Sequence, residues 1–333
     1  MLSGDYLNQL NTEIQVNYLL ASVSSHVFEL KAKNKSADIK SECIKKLEKG
    51  RKNLPDKFRL SINNEIMGKG FNTKKFKIFS SKKMPLLIEL NNSDAGAFSV
   101  RTIFKNGDDL RQDILTLQVI SLMDQIWKEN GLDLKLTPYS VLGTGFMQGY
   151  LEFVADSATI AEIQNEYSIF NTFNSNSIKN YMIKRFVDML YGSSKSQVYN
   201  SIAEIQSNFT SSTAGYCVMS YVLGLGDRHP DNIMINKNTG KLFHIDFGHF
   251  LGNVKSKYGF KRERDPFVFT KEMATFIKAD VKKLVKSVIG SKDFRVSLND
   301  EGSNPKLTKS VSTDSASSRG TFSRGKNFNN LIE

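Results

Sequence analysis

Cysteine is almost missing from this chain. Only Cys43 and Cys217 occur in 333 residues, without CxxC spacing, so neither a disulfide framework nor a thiolate zinc site is expected. A reducing, cytoplasmic setting fits that usage. Long apolar runs are missing too; none approaches the ~18 residues that a membrane-spanning helix needs. The start, Met-Leu-Ser-Gly-Asp-Tyr, has no basic region leading into an apolar stretch, so no secretory leader is read. The chain has no internal repeat. Histidine is scarce, at four residues, yet His229, His244 and His249 all fall between Leu225 and His249, while His26 lies far upstream in a helical pattern.

What is present bounds the class. At 333 residues the chain can bury a large core and fold as two lobes, and 40% hydrophobic with 24% charged residues is ordinary for a soluble globular protein. The net charge of +12 favours an anionic partner: nucleic acid, an acidic membrane face or a phosphorylated substrate. Nucleic acid is the weakest of these, because the positive charge is diffuse and no aromatic-basic recognition motif appears.

Residues 6–50 read as helices. From Phe58 to Arg101 the pattern turns to short strands, with Lys77-Ile78-Phe79 and Leu86–Leu90 flanking the polar turn Ser80–Pro85. Arg101–Lys105 is a further β-rich run closed by Asn106-Gly107. Asp109–Lys128 predicts a helix, with Ile114, Leu117 and Ile120 as a core stripe. Gly149–Val154 predicts a strand, 159–224 mainly helix, and Lys271–Gly290 one basic amphipathic helix. From about Ser297 to Lys326 the composition is Ser, Thr, Asn, Gly and Lys/Arg, which predicts disorder.

The chemistry concentrates in one window. Leu-Gly-Asp-Arg-His-Pro-Asp-Asn-Ile-Met-Ile (225–235) is followed by a hairpin-like Asn-Thr-Gly turn at 238–240 and then His-Ile-Asp-Phe-Gly-His (244–249). Phosphoryl transfer needs a cation on the phosphates, metal ions bridging them, and a group that orients the attacking hydroxyl. Lys105, at a strand end, could supply the cation, and Asp113 in the next helix could hold it. Asn232 and Asp246 offer hard oxygens suited to magnesium. Asp227 and His229 could orient or deprotonate a hydroxyl. Each has a plainer explanation alone. Lys105 could be a solvated strand-end lysine and Asp113 a first-turn helix acid. His244 and His249 flank apolar residues and fit a buried core histidine equally well. The glycine-rich phosphate loops of P-loop proteins and protein kinases are both absent. Ser80-Ser81-Lys82-Lys83 could nonetheless cover phosphates with backbone N–H groups and a lysine.

These residues resemble the catalytic domain of the phosphoinositide 3-kinases, from about Phe58 to Thr270. The resemblance is carried by Phe104–Asp113 (Phe-Lys-Asn-Gly-Asp-Asp-Leu-Arg-Gln-Asp), Gly131–Leu134, Ala214–Val218, the Gly-Asp-Arg-His loop and His-Ile-Asp-Phe-Gly-His-Phe-Leu-Gly. It implies an α+β, two-lobed, protein-kinase-like fold, with a small antiparallel-sheet N-lobe at 58–155 and a mainly helical C-lobe at 156–290. Residues 1–57 would be a remnant of a helical domain, and 291–333 a low-complexity tail. The family's C-lobe helices are not recognisable after Thr270, and its adaptor-binding, Ras-binding and C2 domains are not present here. Contacts with a regulatory subunit or a Ras-type GTPase would run through those domains.

The resemblance also implies roles. Lys105 would bind the α/β phosphates of ATP, and Ser81 and Lys83 would belong to the phosphate-covering loop. Tyr139 and Asp113 would line the inner nucleotide pocket, with Glu152 and Val154 as the adenine hinge. Asn232 and Asp246 would bind Mg2+, and Asp227 and His229 would act at the lipid hydroxyl. Lys255, Lys257, Lys261, Arg262 and Arg264, in the segment after Asp-Phe-Gly, would clamp headgroup phosphates as in the class I enzymes, which accept phosphatidylinositol 4,5-bisphosphate. The expected protein is a peripheral lipid kinase acting at an anionic membrane surface. The alternatives are a phosphatidylinositol 4-kinase, a related serine/threonine protein kinase, or a catalytically impaired nucleotide- or membrane-binding module.

Overall fold

A computed structural model describes residues 4–33, 38–94, 96–168, 176–191, 201–251, 256–257, 260–261 and 265–280. The chain divides into two compact units. One comprises 1–126, 138–155 and 246–250; the other comprises 127–137, 156–245 and the residues from 251 onward.

The first unit is built on an antiparallel sheet. Its strands are β1 (Phe58–Leu60), β2 (Asn63–Phe71), β3 (Lys77–Ile78), β4 (Leu86–Asn92), β5 (Val100–Asn106), β6 (Val141–Gly145) and β7 (Gln148–Glu152). The main order is β1-β2-β4-β5-β7-β6, with β3 pairing to β4. The register sets Lys105 opposite Gly149 and Ile103 opposite Leu151. Alternation along β4 and β5 sends Leu86, Ile88, Leu90, Val100 and Phe104 into the core. Helices α1 (Gly4–Ala32) and α2 (Ile39–Arg51) share that core, which joins Val16, Leu20, Val23, Val27, Cys43 and Leu47 to the sheet residues. Tyr150 donates from its Oη to Asn17 Oδ1, fixing α1 on the sheet. Helix α3 (Arg111–Glu129) follows β5, its first turn closed by Asp109, whose carboxylate accepts from the Arg111 N–H and pairs with its guanidinium.

The second unit is mainly helical: α4 (Ile160–Ser168), α5 (Ser177–Tyr191), α6 (Ile202–Leu223) and α7 (Lys271–Ile277), with a small sheet in the order β10-β9-β8. Its strands are β8 (Ser157–Thr159), β9 (Ile233–Asn236) and β10 (Leu242–His244). Helix α6 starts at Ser201, whose hydroxyl accepts from the Glu204 N–H, and stops at Gly224 in a left-handed cap. The predicted turn at 238–240 is the β9–β10 hairpin, where Asn236 Oδ1 accepts from the N–H groups of Asn238 and Thr239.

The single helix expected over 271–290 is not formed as such. α7 ends at Ile277, because the Gln206 side-chain amide takes the carbonyls of Phe276, Ile277 and Ala279, and Phe209 packs edge-on against Phe276. Residues 281–290 and the expected tail at 291–333 lie outside the described residues. The segment that carries the five basic residues is described only as a two-stranded ladder of β11 (Ser256–Lys257) with β12 (Phe260–Lys261). Among the described residues, no helix is long and apolar enough to cross a membrane.

Candidate functional site

In the first unit, β5 ends at the Asn106-Gly107 turn, with Gly107 at φ +81°, and this turn aims Lys105 at its nearest acid. That acid is Asp108, not Asp113: Lys105 Nζ lies 2.9 Å from Asp108 Oδ2, and both side chains are partly buried. Burial pulls the Lys105 ammonium toward neutrality, but the carboxylates of Asp108, Asp113 and Asp246 outweigh it and hold its pKa above the usual lysine range. The lysine therefore stays charged in a pocket of three acids.

Asp113 has a different task. It is buried, and its Oδ1 accepts from the Phe247 N–H at 3.1 Å, which ties α3 to the Asp-Phe-Gly segment. Burial drives its pKa up, with Asp246 and Asp108 adding to the effect and Lys105 and the Phe247 amide opposing it. The Phe247 ring stacks on Tyr139, with centroids 6.5 Å apart and planes 21° apart.

Ser81 and Lys83 sit exposed at the tip of the β3–β4 hairpin, where Ser81 O accepts from the Met84 N–H. Lys83 Nζ donates to the Gly107 carbonyl, so the hairpin tip reaches the turn that carries Lys105. Glu152 closes the end of β7 through a reciprocal pair. Its N–H donates to Ser140 O at 2.8 Å, and its Oε2 accepts from the Ser140 N–H at 2.9 Å. Val154 lies just past the strand end, half-buried.

In the second unit, the Gly224 cap releases the chain into the 225–232 loop. His229 is flanked by two carboxylates, with Nε2 3.9 Å from Asp227 Oδ2 and Nδ1 3.5 Å from Asp231 Oδ2. Asn232 is buried and donates its side-chain N–H to Asp227 O at 2.9 Å. That bond leaves its hard amide oxygen for another partner. Among the described residues, no group of three His, Cys, Asp or Glu side chains could hold a metal ion.

His244 belongs to the core. It is 2% exposed, its ring lies 4.8 Å from that of Tyr216, and burial together with the Arg228 charge keeps it neutral, well below the usual histidine value. Lys255, Arg262 and Arg264 lie outside the described residues, and Lys257 and Lys261 are placed only as backbone of the short ladder. Sequence reasoning missed Asp108, Arg228 and the Phe247 amide. Asp108 was signalled by its position three residues after Lys105 across a tight turn.

The sequence profile of the family described as phosphatidylinositol 3- and 4-kinase matches residues 99–289, more than half of the chain. The chain belongs to that family. It is similar to phosphatidylinositol 3-kinase 1 of Dictyostelium discoideum, at 47% identity over 219 residues, 65% of this chain and 13% of the relative. It is also similar to phosphatidylinositol 3-kinase 2 of the same organism, at 41% identity over 282 residues, 83% of this chain and 14% of the relative. The chain thus spans about one seventh of the length of these relatives. The family carries the expected two-unit α+β architecture, one unit built on an antiparallel sheet and the other mainly helical.

Proposed function

We propose that this domain transfers the γ-phosphate of ATP to the 3-hydroxyl of a phosphoinositide, with phosphatidylinositol 4,5-bisphosphate as the favoured substrate. The observation that carries the reading is Lys105, held charged among Asp108, Asp113 and the Asp246 of the Asp-Phe-Gly segment. A phosphate-seeking cation beside a metal-seeking carboxylate is what phosphoryl transfer asks of a protein.

Lys105 would take the α/β phosphates, exchanging part of its pairing with Asp108 for phosphate oxygens. Lys83 and the backbone around Ser81 would cover them. Tyr139 would wall the inner pocket, and the chain from Glu152 to Val154 would meet adenine through backbone groups. Bound magnesium would offset developing phosphate charge, held by Asn232 and Asp246. His229 would take the hydroxyl proton at a ring nitrogen, with Asp227 orienting it. Lys255, Lys257, Lys261, Arg262 and Arg264 would recognise headgroup phosphates, the arginines in two-pronged fashion. The protein would meet its substrate peripherally, at an anionic membrane face.

The test is transfer from radiolabelled ATP to vesicles that carry either phosphatidylinositol or its 4,5-bisphosphate, with Asp246→Asn as control. Product on the bisphosphate, phosphorylated at position 3 and lost in the variant, is the expected result. Product at position 4 would assign the 4-kinase reaction, and label on a protein acceptor alone would assign a protein kinase. ATP binding without any transfer would overturn the enzymatic reading in favour of a binding module.

A further inference from the structure

Two aspartates of the catalytic segments have left-handed backbones: Asp227 at φ +56° and Asp246 at φ +58°. A non-glycine residue holds that conformation only where its surroundings impose it, and such positions gather at functional sites. One side chain touches the peptide preceding each of them. Arg228, 7% exposed, donates from Nε to Gly226 O at 2.9 Å and from Nη1 to Ile245 O at 2.8 Å. The Gly226 carbonyl belongs to the peptide plane from which Asp227 φ is measured. The Ile245 carbonyl belongs to the plane from which Asp246 φ is measured. A planar guanidinium with donors fixed in a fork can hold two such planes in one relative orientation; a lysine ammonium, a single flexible point, cannot.

We infer that Arg228 is a positioning residue that holds the peptide planes preceding Asp227 and Asp246 in one relative orientation and so imposes the left-handed backbone at each. Neighbouring bonds complete the lock. The Ile245 N–H donates to Asn232 O at 3.0 Å, and the Asn232 N–H donates to His229 O at 2.8 Å. The segment on either side of Arg228 is therefore laced to the residue before Asp246.

The test uses the full chain with Arg228→Lys and Arg228→Met, and its second arm rests on the kinase reading. The first arm does not. Hydrogen exchange is followed in peptides covering 224–232 and 243–250, with the middle of α6 as internal reference. Both variants are expected to exchange at least tenfold faster in the two peptides and unchanged in α6. Lysine should fail as methionine does, because charge without the fork does not hold two planes. In the second arm, the manganese affinity of ATP-saturated protein is read by electron paramagnetic resonance. It should fall at least tenfold while metal-free ATP affinity stays within threefold. In turnover, kcat should fall with KM for ATP little changed. Folded variants with unaltered exchange and manganese affinity would overturn the inference. So would two variants that do not fold, since that outcome assigns Arg228 to stability alone. A wild-type protein that binds no ATP would sink the kinase reading, while the exchange arm would still decide the lock.

Discussion

Lys105 and Asp108 form a 2.9 Å ion pair across the Asn106-Gly107 turn, and this pair fixes the end of β5. Removing the lysine should cost about a hundred- to a thousandfold in turnover, as does the loss of one charge-stabilising donor elsewhere. Lys105→Met also leaves Asp108, Asp113 and Asp246 without their cation, so a lower thermal midpoint should accompany the loss of turnover. Asp108→Asn should be milder, since Asp113 and Asp246 still face the lysine. A rise in KM for ATP of roughly fivefold, equivalent to about 1 kcal/mol, suits a partly buried pair. Steady-state kinetics on the two variants would check both. An Asp108→Asn protein with the defect of Lys105→Met would show the aspartate to be more than a tether.

The left-handed backbone at Asp246 separates stability from chemistry. Asp246→Gly should relieve about 1 kcal/mol of strain and lose a similar amount through the freer unfolded chain, leaving stability near that of the wild type. Asp246→Ala keeps the strain and also loses the polar side chain with which an aspartate eases a left-handed backbone, so it should be about 1 kcal/mol less stable than the glycine variant. Both should abolish metal-dependent turnover. Urea denaturation of the two side by side gives the answer. Alanine at or above glycine would mean that the backbone there is not strained.

His244 gives stability a pH dependence with a definite sign. Its folded-state pKa lies well below 6.5, so in acid the unfolded chain takes up a proton that the folded one refuses. Its contribution to stability is present above about pH 6.5 and is lost as pH falls below it. His244→Phe keeps a ring against Tyr216 and cannot titrate. Its unfolding free energy should fall less between pH 6.5 and 5 than that of the wild type. Equal slopes for the two proteins would contradict the assignment.

Gly240 turns the β9–β10 hairpin at φ +75°, and a β-carbon there would lie 2.4 Å from the Ile205 carbonyl oxygen in α6. Gly240→Ala combines a left-handed penalty with a clash against backbone. A loss of more than about 2 kcal/mol is expected. A smaller loss in chemical denaturation would mean that the hairpin can lift away from α6.

Much of this was legible in the residues themselves. The spacing Asp227, His229, Asn232, Asp246 carries the proposed chemistry, and the alternation around Ser80–Pro85 and the Asn-Thr-Gly turn marks two hairpins that the structure forms. Other features left no mark in sequence. Counting along the helix favoured Asp113 as the partner of Lys105, whereas the turn brings Asp108 closer and frees Asp113 for the Phe247 amide. The left-handed aspartates were invisible because glycine is the residue that advertises positive φ. Arg228 was read only as part of a motif, since its two acceptors are carbonyls, which every residue carries. The end of α7 was missed for a similar reason: a distant glutamine side chain, not a local glycine or proline, stops it.

The chain passes from one unit to the other at residues 126–127, 137–138, 155–156, 245–246 and 250–251. The sheet unit thus contains a piece, 246–250, synthesised about ninety residues after the rest of it, as the numbering from Ala155 to Asp246 shows. Until that piece emerges from the ribosome, Asp113 lacks its Phe247 amide and Tyr139 lacks its stacked ring. Completion of the sheet unit is therefore a late event in biosynthesis, and a nascent chain released before residue 246 would carry every residue of β5 and α3 with their buried acid still waiting for its partner.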